Sequence, residues 1–132
     1  MSARILVIDD DDASRELATY LLEDAGYAVA GAEDGAAGIA RALRSVPGLV
    51  LCDLDMPVKN GFEVLDALRA SVHLRHLPVI GATASSMTGD RESTLAAGFD
   101  GYLPKPVTPE RFVEQVEAFL APGLRTLPRA EY

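Results

Sequence analysis

Short apolar runs and helical patterns alternate five times along the chain. The apolar runs are four to six residues long. The third is apolar at consecutive positions, as in a strand that is buried on both faces. Between the runs, apolar side chains recur every three or four residues, which is the spacing of an amphipathic helix. The predicted strands cover residues 4–8, 27–32, 49–52, 78–83 and 99–103.

Residues that favour helix ends mark the boundaries of the predicted helices. Gly26 is predicted to end the first helix, because glycine readily takes the left-handed conformation found just after a helix. Asp34 is the predicted N-cap of the second helix, and Thr108, followed by Pro109, is the predicted N-cap of the last. The second helix is predicted to bury Ala36, Ile39, Ala40 and Leu43, and the last helix Phe112, Val113, Val116, Phe119 and Leu120.

The alternation of strands and helices predicts an α/β fold in which helices cover both faces of one parallel sheet. A chain of 132 residues is long enough for one such domain and too short for two. Pro122 and Gly123 are predicted to stop the last helix. We therefore expect a single domain over residues 1–121 and a short tail over residues 122–132.

Composition and charge narrow the possible classes of function. The net charge is −8 and the 12 basic residues are scattered, so we do not expect direct nucleic-acid binding, which needs clustered Lys and Arg. No apolar run approaches the roughly 20 residues of a membrane span, and aspartates follow the start too closely for a signal peptide. Cys52 is the one cysteine, which excludes an intramolecular disulfide and agrees with a reducing compartment. We therefore expect a cytoplasmic protein without membrane contact.

Polar side chains stand at the carboxyl ends of four predicted strands. Asp9–Asp12 follow the first strand and Asp53-Leu54-Asp55 the third, whereas Thr83 ends the fourth strand and Lys105 follows the fifth. Ligands of parallel α/β sheets bind at these strand ends. We therefore expect carboxylates, a hydroxyl and an ammonium group to converge on one edge of the sheet, with Asp12 as a helix cap or a surface charge.

The expected crevice has the chemistry of phosphoryl transfer. Clustered carboxylates raise one another's pKa, and a divalent cation relieves their repulsion. An all-oxygen site suits Mg²⁺, which favours phosphate ligands. A carboxylate beside Mg²⁺, with Lys and Thr nearby, can act as a nucleophile and form an acyl phosphate. From the residues alone, Asp53 and Asp55 fit three interpretations: a solvated loop, the nucleophile motif of a haloacid-dehalogenase-type phosphatase, and the phosphoryl-accepting aspartate of a signalling domain.

Four motifs together resemble the receiver domain of two-component response regulators. They are ILVIDDDDASREL, LVLCDLDMPVKNGFEVL, PVIGATA and GFDGYLPKP, in this order and spacing. The resemblance extends over residues 3–121 and implies a flavodoxin-like, CheY-like fold, with five helices around a five-stranded parallel sheet of strand order 2-1-3-4-5. It also implies a phosphoacceptor signalling domain that takes a phosphoryl group from a partner phosphohistidine and then changes a protein-binding surface.

By position, the resemblance implies a magnesium site around a phosphoacceptor. Asp53 would accept the phosphoryl group and contribute to metal binding. Asp10 would ligate Mg²⁺, Asp9 would support it, and the backbone carbonyl of Asp55 would be a further ligand. An acid at position 55 adds negative charge beside the site, and this position, like that of Ser85, tunes the phosphoryl lifetime in the family.

The resemblance also implies a conformational switch. Lys105 would pair with the acyl phosphate, and the peptide bond before Pro106 would be cis. Thr83 would hydrogen-bond a phosphoryl oxygen and shift on phosphorylation, and Tyr102 would turn inward as Thr83 moves. The surface that changes would lie on the fourth helix, the fifth strand and the fifth helix. Ala82, which is smaller than the family's usual residue, would leave extra room beside the switch.

The resemblance implies protein partners and leaves two rival functions. The implied partners are a sensor histidine kinase or a histidine phosphotransfer protein, and an unknown downstream protein target. The domain would catalyse its own phosphorylation and dephosphorylation and would not be an enzyme in the ordinary sense. The alternatives are a haloacid-dehalogenase-type phosphatase, in which Thr or Val would stand at the position of Pro57, and a receiver used only for protein contact. The initial Met favours a single-domain regulator over a fragment.

Overall fold

The computed structural model of the chain describes residues 3–56, 59–84 and 90–124. In these ranges five strands and five helices alternate, as the hydrophobic pattern predicts, and a short 3₁₀ helix follows. The strands are β1 (Arg4–Ile8), β2 (Ala28–Ala32), β3 (Leu49–Asp53), β4 (Val79–Thr83) and β5 (Gly101–Pro104). The helices are α1 (Asp12–Asp24), α2 (Gly35–Arg44), α3 (Gly61–Ala70), α4 (Asp90–Ala97) and α5 (Pro109–Glu117), and the 3₁₀ helix is Pro122–Leu124.

The five strands form one parallel sheet in the order β2-β1-β3-β4-β5, which confirms the predicted fold class. β3 lies in the middle of the sheet and all its residues are buried, as its continuous apolar run predicts. The short strand β5 lies at one edge, also as predicted. The chain turns in opposite directions from β1 to β2 and from β2 to β3. The carboxyl ends of β1 and β3 therefore border the crevice in which such sheets bind ligands.

Strand side chains alternate between two buried clusters, one on each face of the sheet. Leu6 and Ile8 belong to the cluster that α2 and α3 cover. Ile5 and Val7 belong to the cluster that α1 and α5 cover. Cys52 is fully buried in the first cluster, as predicted for a residue of the third strand. Burial of these apolar side chains is the main stabilising contribution to a fold of this kind.

Three helix ends can be compared with their predictions. Asp34 is the N-cap of α2, and its carboxylate accepts a hydrogen bond of 2.7 Å from the backbone N–H of Ala37, as predicted. Gly26 follows α1 with a φ of 102°, the left-handed conformation expected there. Thr108 occupies the N-cap position of α5, but its side chain makes no capping hydrogen bond. The fixed φ of Pro109 therefore contributes more to this helix start than the hydroxyl group does.

α2 packs on the sheet through small residues, and the buried face predicted for it is wrong. Leu43 is 53% exposed and Ile39 is only half-buried. A Cβ atom at Gly38 would lie 2.4 Å from Cδ1 of Ile8, so α2 approaches β1 this closely because residue 38 is glycine. Hydrophobic periodicity does not identify glycine as a contact residue. The exposed positions of α2 include Ala36 and Ala40, and its buried positions are Gly35, Gly38 and Ala42.

α5 buries a narrower face than predicted. Phe112 and Val116 are fully buried, whereas Phe119 is 37% exposed. Phe119 lies beyond the end of α5, and its ring covers Gly101 at the edge of the sheet, where a Cβ atom would lie 2.7 Å from the ring. Leu120 also lies beyond α5 and is buried as predicted, so the prediction fails only at Phe119, whose ring packs at the edge of the sheet. The longest helix in the described ranges has 13 residues, and none of the helices there could span a membrane.

The packing of α2 on β1 predicts a specific loss of stability. Gly38→Val should lower the free energy of unfolding by about 2–3 kcal/mol, because the added atoms overlap Ile8. The control is Ala40→Val, an exposed position of the same helix, which should cost only a few tenths of a kcal/mol. Urea unfolding measures both losses. Equal losses in the two variants would contradict the close packing at residue 38.

Candidate functional site

Four neighbouring strands bring the predicted site residues to one edge of the sheet. Asp9 follows β1, Asp53 is the last residue of β3, Thr83 is the last residue of β4, and Lys105 follows β5. One carboxylate oxygen from each of Asp9, Asp10 and Asp53 lies within 4.8 Å of the others. The convergence predicted from the strand ends is therefore present in the folded chain.

Two of the three clustered carboxylates are buried, and each has hydrogen-bond partners. Asp9 and Asp53 are each 5% exposed, whereas Asp10 is exposed. Asp9 Oδ1 accepts a 3.0 Å hydrogen bond from the backbone N–H of Asp11. Asp53 Oδ1 accepts one of 3.2 Å from the backbone N–H of Asp55. Buried carboxylates are costly without such donors, so the two loops that follow β1 and β3 help to hold the site.

Lys105 is the cation that the structure sets between the two buried carboxylates. Its Nζ lies 2.8 Å from Asp9 Oδ2 and 3.5 Å from Asp53 Oδ1. Burial lowers the pKa of Lys105, but the hydrogen bond to Asp9 and the negative charges of Asp53 and Asp9 outweigh burial, so the pKa is raised. Lys105 therefore stays protonated at neutral pH. The peptide bond between Lys105 and Pro106 is cis, as the resemblance implies.

Burial makes the ionisation of Asp53 unfavourable: it is the largest cause of a pKa that is raised to about 6. The N–H of Asp55 and the charge of Lys105 act in the opposite direction, whereas the charge of Asp9 and a hydrogen bond with Asp10 also raise the pKa. One ammonium group does not compensate three carboxylates, and an additional cation would be stabilised at this place.

The donor atoms of the cluster fit Mg²⁺. Asp9, Asp10 and Asp53 offer carboxylate oxygens, the ligand type that this cation prefers, and the exposed side of the cluster at Asp10 leaves space for water and phosphate ligands. The main chain of Asp55 lies next to the cluster, because its N–H contacts Asp53. Ligation by the carbonyl of Asp55 stays a prediction.

Thr83 has a partner that the sequence does not reveal. Its side chain is buried, and its hydroxyl group donates a hydrogen bond to the carboxylate of Asp55. The acid at position 55 thus engages the residue expected to bind the phosphoryl group. Tyr102 lies in β5 opposite Gly81 of β4 and is half-buried, so its switch role stays a prediction. Ser85 and Pro57 fall outside the described residues.

A cavity of about 80 Å³ lies beside Ala82, but neither Thr83 nor Tyr102 lines it, so extra room beside the switch stays a prediction. The cavity reaches from the apolar side chains of Leu51 and Leu17 to Asp53 and Lys105. It is part of the α1–α5 side of the sheet, where Ala82 belongs to the buried cluster. The site thus has an apolar wall beneath its charged groups.

At the start of α1, the structure confirms one of the two roles predicted for Asp12, the surface charge, and not the other, the helix cap. Asp11 is the N-cap: its carboxylate accepts a 2.8 Å hydrogen bond from the backbone N–H of Ser14, which lowers the pKa of Asp11. Asp12 is not the cap but an exposed charge in the first helical turn, paired with Arg15. Arg15, which contacts Asp9, was not among the predicted site residues. The sequence did contain a signal for this contact: an arginine stands one turn into the helix that follows the acidic loop.

Comparison with known proteins supplies the family. Residues 5–117 match the family model described as the response regulator receiver domain. The chain belongs to this family. The match leaves out only the first four and the last fifteen residues of the chain, from 132 residues in total. The resemblance inferred from the four motifs is thereby confirmed.

Relatives of this receiver domain match it over nearly their whole length. The polar-differentiation response regulator DivK of Brucella ovis is 32% identical over 120 residues, which cover 91% of this chain and 98% of that protein. The chemotaxis protein CheY4 of Vibrio cholerae has a solved structure with 30% identity and a TM-score of 0.85, covering 91% and 100% of the two chains. A receiver domain protein of Methanospirillum hungatei has 29% identity and a TM-score of 0.79, covering 89% and 93%.

Membership in this family decides between two interpretations of Asp53 and Asp55, the phosphatase motif and the signalling domain. The chain is a response regulator receiver domain of two-component signalling. Asp53 and Asp55 therefore need no explanation as a phosphatase motif. Asp53 also ends the third strand of the chain, whereas the nucleophile of haloacid-dehalogenase-type phosphatases usually follows the first.

The burial of the Asp53 carboxylate predicts that, without metal, Asp53→Asn is more stable than the wild type. The folded-state pKa of about 6 lies above the unfolded value, so ionisation of Asp53 costs stability as the pH rises through this range. At about pH 7.5 the amide should gain about 1 kcal/mol, a figure reduced for partial solvent screening. Below about pH 4 both forms are uncharged at this position, and the gain should disappear.

Urea unfolding in the presence of a chelator measures this difference at both pH values. Saturating Mg²⁺ should then stabilise the wild type more than the variant, because only the wild type keeps all three carboxylates. A metal-free wild type that is more stable than Asp53→Asn at the higher pH would contradict the unfavourable ionisation.

Proposed function

We propose that this receiver domain is controlled by phosphorylation of Asp53, which accepts a phosphoryl group from a partner phosphohistidine in a Mg²⁺-dependent reaction. The observation that carries the proposal is the position of the Asp53 carboxylate. It is buried, it lies 3.5 Å from Lys105 Nζ, and it shares a cluster of oxygens with Asp9 and Asp10. A carboxylate in a charged, partly dry crevice of this kind is suited to phosphoryl transfer.

The proposed nucleophile is a carboxylate oxygen of Asp53. At neutral pH the pKa of about 6 leaves this group mostly ionised. It attacks phosphorus as the histidine nitrogen leaves, and the product is an acyl phosphate on Asp53. Mg²⁺, held by Asp9, Asp10 and Asp53, would supply positive charge to the phosphoryl oxygens. Lys105 stays protonated and can pair with the new phosphoryl oxygens, because it already contacts Asp53.

Phosphorylation would change the partner of Thr83. The hydroxyl group of Thr83 donates to Asp55 in this structure. A phosphoryl group on Asp53 adds negative charge beside Asp55 and offers a new acceptor near β4. In the proposed switch, Thr83 exchanges the carboxylate of Asp55 for a phosphoryl oxygen, and Tyr102 on the neighbouring strand follows. The exposed surface that would respond consists of α4, β5 and α5.

The proposed partners follow from this chemistry. The phosphoryl donor would be a sensor histidine kinase or a histidine phosphotransfer protein, and the changed surface would bind a downstream protein target. The domain would comprise residues 1–121, with residues 122–132 as a tail, and would act in the cytoplasm. It would turn over once per signal, with self-catalysed phosphorylation and dephosphorylation. Relatives are named for polar differentiation and for chemotaxis, and those roles belong to the relatives.

Labelling by acetyl phosphate tests the phosphoacceptor. Intact-protein mass spectrometry should show a gain of one phosphoryl group in the wild type with Mg²⁺. With chelator there should be no gain, because the negative charges of the carboxylates and of the incoming phosphoryl group need a compensating cation. Asp53→Asn should gain nothing. Asp66→Asn on the exposed side of α3 is the control and should label as the wild type does.

Labelling of Asp53→Asn would identify another acceptor. A wild type that binds Mg²⁺ but is labelled neither by acetyl phosphate nor by phosphohistidine donors would instead favour the receiver used only for protein contact.

The exchange at Thr83 predicts a separation of labelling from switching. Thr83→Ala should still accept a phosphoryl group on Asp53, since it keeps the metal-binding carboxylates. On phosphorylation, the amide resonances of β5 and α5 should shift less than half as far in Thr83→Ala as in the wild type. The variant lacks the hydroxyl group that would donate about one hydrogen bond to the phosphoryl group. Thr83→Ser, which keeps the hydroxyl group, is the matched control. Wild-type shifts in Thr83→Ala would refute the proposed coupling.

A further inference from the structure

Arg15 holds the backbone of the acidic loop that carries two of the clustered carboxylates. It lies in the first half of α1, and only 21% of its side chain is exposed. One guanidinium nitrogen, Nη1, donates a 2.7 Å hydrogen bond to the backbone carbonyl of Asp9. The other, Nη2, donates to the carboxylate of Asp12. The planar guanidinium group therefore bridges the start of the loop between β1 and α1 and the first residue of α1.

A missing side chain on the neighbouring strand leaves space for the Arg15 stem. Gly31 lies in β2, beside Val7 of β1. A Cβ atom at residue 31 would lie 3.3 Å from Cδ of Arg15 and 3.7 Å from its Cγ. The stem thus passes close over the sheet edge, which limits the directions from which the guanidinium group can reach Asp9.

The carbonyl that Arg15 binds belongs to the peptide group between Asp9 and Asp10. A peptide group is planar, so fixing its carbonyl oxygen fixes the direction in which the chain enters residue 10. Asp9 is held elsewhere too: its N–H donates 3.0 Å to the carbonyl of Ala32, and its carboxylate contacts Lys105. For Asp10, whose side chain is exposed, the peptide plane held by Arg15 sets the direction in which its backbone leaves Asp9.

We propose that Arg15 is a positioning residue of the metal site: by binding the carbonyl of Asp9 it sets the peptide plane that directs the Asp10 carboxylate towards Asp9 and Asp53. The inference rests on the proposed function, since it concerns the Mg²⁺ that this site would bind. Arg15 itself touches neither the phosphoryl group nor the metal. Its effect is expected on metal affinity and on the geometry of the metal-free loop.

Charge and geometry predict effects of opposite sign for Arg15. A cation near a Mg²⁺ site repels the metal, so removing its charge should tighten Mg²⁺ binding if charge alone mattered. Removing a group that orients the ligands should weaken binding, because the carboxylates then have to be ordered when the metal binds. The direction of the change in Mg²⁺ affinity therefore distinguishes the two roles.

Calorimetric titration of unphosphorylated protein with Mg²⁺ tests the proposal. Arg15→Gln should raise the dissociation constant about tenfold, as is typical when a group that supports metal ligands is lost. Arg44→Gln is the control: it removes the same charge from an exposed position at the end of α2, and its affinity should equal that of the wild type or exceed it. In the metal-free proteins, the amide resonances of Asp10 and Asp11 should move in Arg15→Gln and stay in Arg44→Gln.

Unchanged or tighter Mg²⁺ binding in Arg15→Gln would overturn the proposal. Thermal unfolding in chelator verifies that the variant is folded, and Arg15→Lys replaces it if it is not. Arg15→Lys keeps the charge but not the planar pair of donors. It should therefore also bind Mg²⁺ more weakly than the wild type, by a smaller factor than Arg15→Gln. Wild-type Mg²⁺ affinity in Arg15→Lys would count against the positioning role. Calorimetry reads the unphosphorylated protein, so absence of labelling at Asp53 would refute the proposed function and leave this measurement valid.

Discussion

The buried negative charge of Asp9 and Asp53 constrains the rest of the site. Both carboxylates lie at the carboxyl ends of central strands, where neither bulk water nor a second cation of the described chain compensates them fully. Lys105 and the backbone N–H groups of Asp11 and Asp55 supply the nearest positive charge. These contacts tie the loops after β1, β3 and β5 to one another. Holding these carboxylates together costs free energy without a cation and is favourable with one. Metal binding is therefore coupled to the order of the three loops.

Glycine allows the backbone to come close to this charged edge. A Cβ atom at Gly61, the first residue of α3, would lie 2.7 Å from the backbone carbonyl oxygen of Asp53. The first residue of α3 can therefore lie directly against the end of β3. Asn60 caps α3 directly before this glycine and accepts a hydrogen bond from the N–H of Glu63. The helix start and the close approach together fix where the loop leaves the site.

The sequence predicts those parts of the molecule that depend on regular periodicity or on strand ends. Five strands, their alternation with helices, and the convergence of Asp9, Asp53, Thr83 and Lys105 all follow from such signals, whereas the strand order came from the family resemblance. The buried face of α2 was missed because its contacts are made by glycines, which hydrophobic patterns ignore. The Thr83–Asp55 and Arg15–Asp9 hydrogen bonds were missed because side-chain partners across loops leave no spacing in the sequence.

In the described ranges the sheet separates the apolar interior into two buried clusters, one on each face. Leu6 and Ile8 belong to one cluster, while Ile5 and Val7, their neighbours in the same strand, belong to the other. Substitutions on opposite sides share no side-chain partners, so their effects on stability should add with little coupling. The independence ends at the cavity beside Ala82 on the α1–α5 side: Asp9, Asp53 and Lys105 line it, so a substitution that fills this cavity would also disturb the charged edge of the sheet.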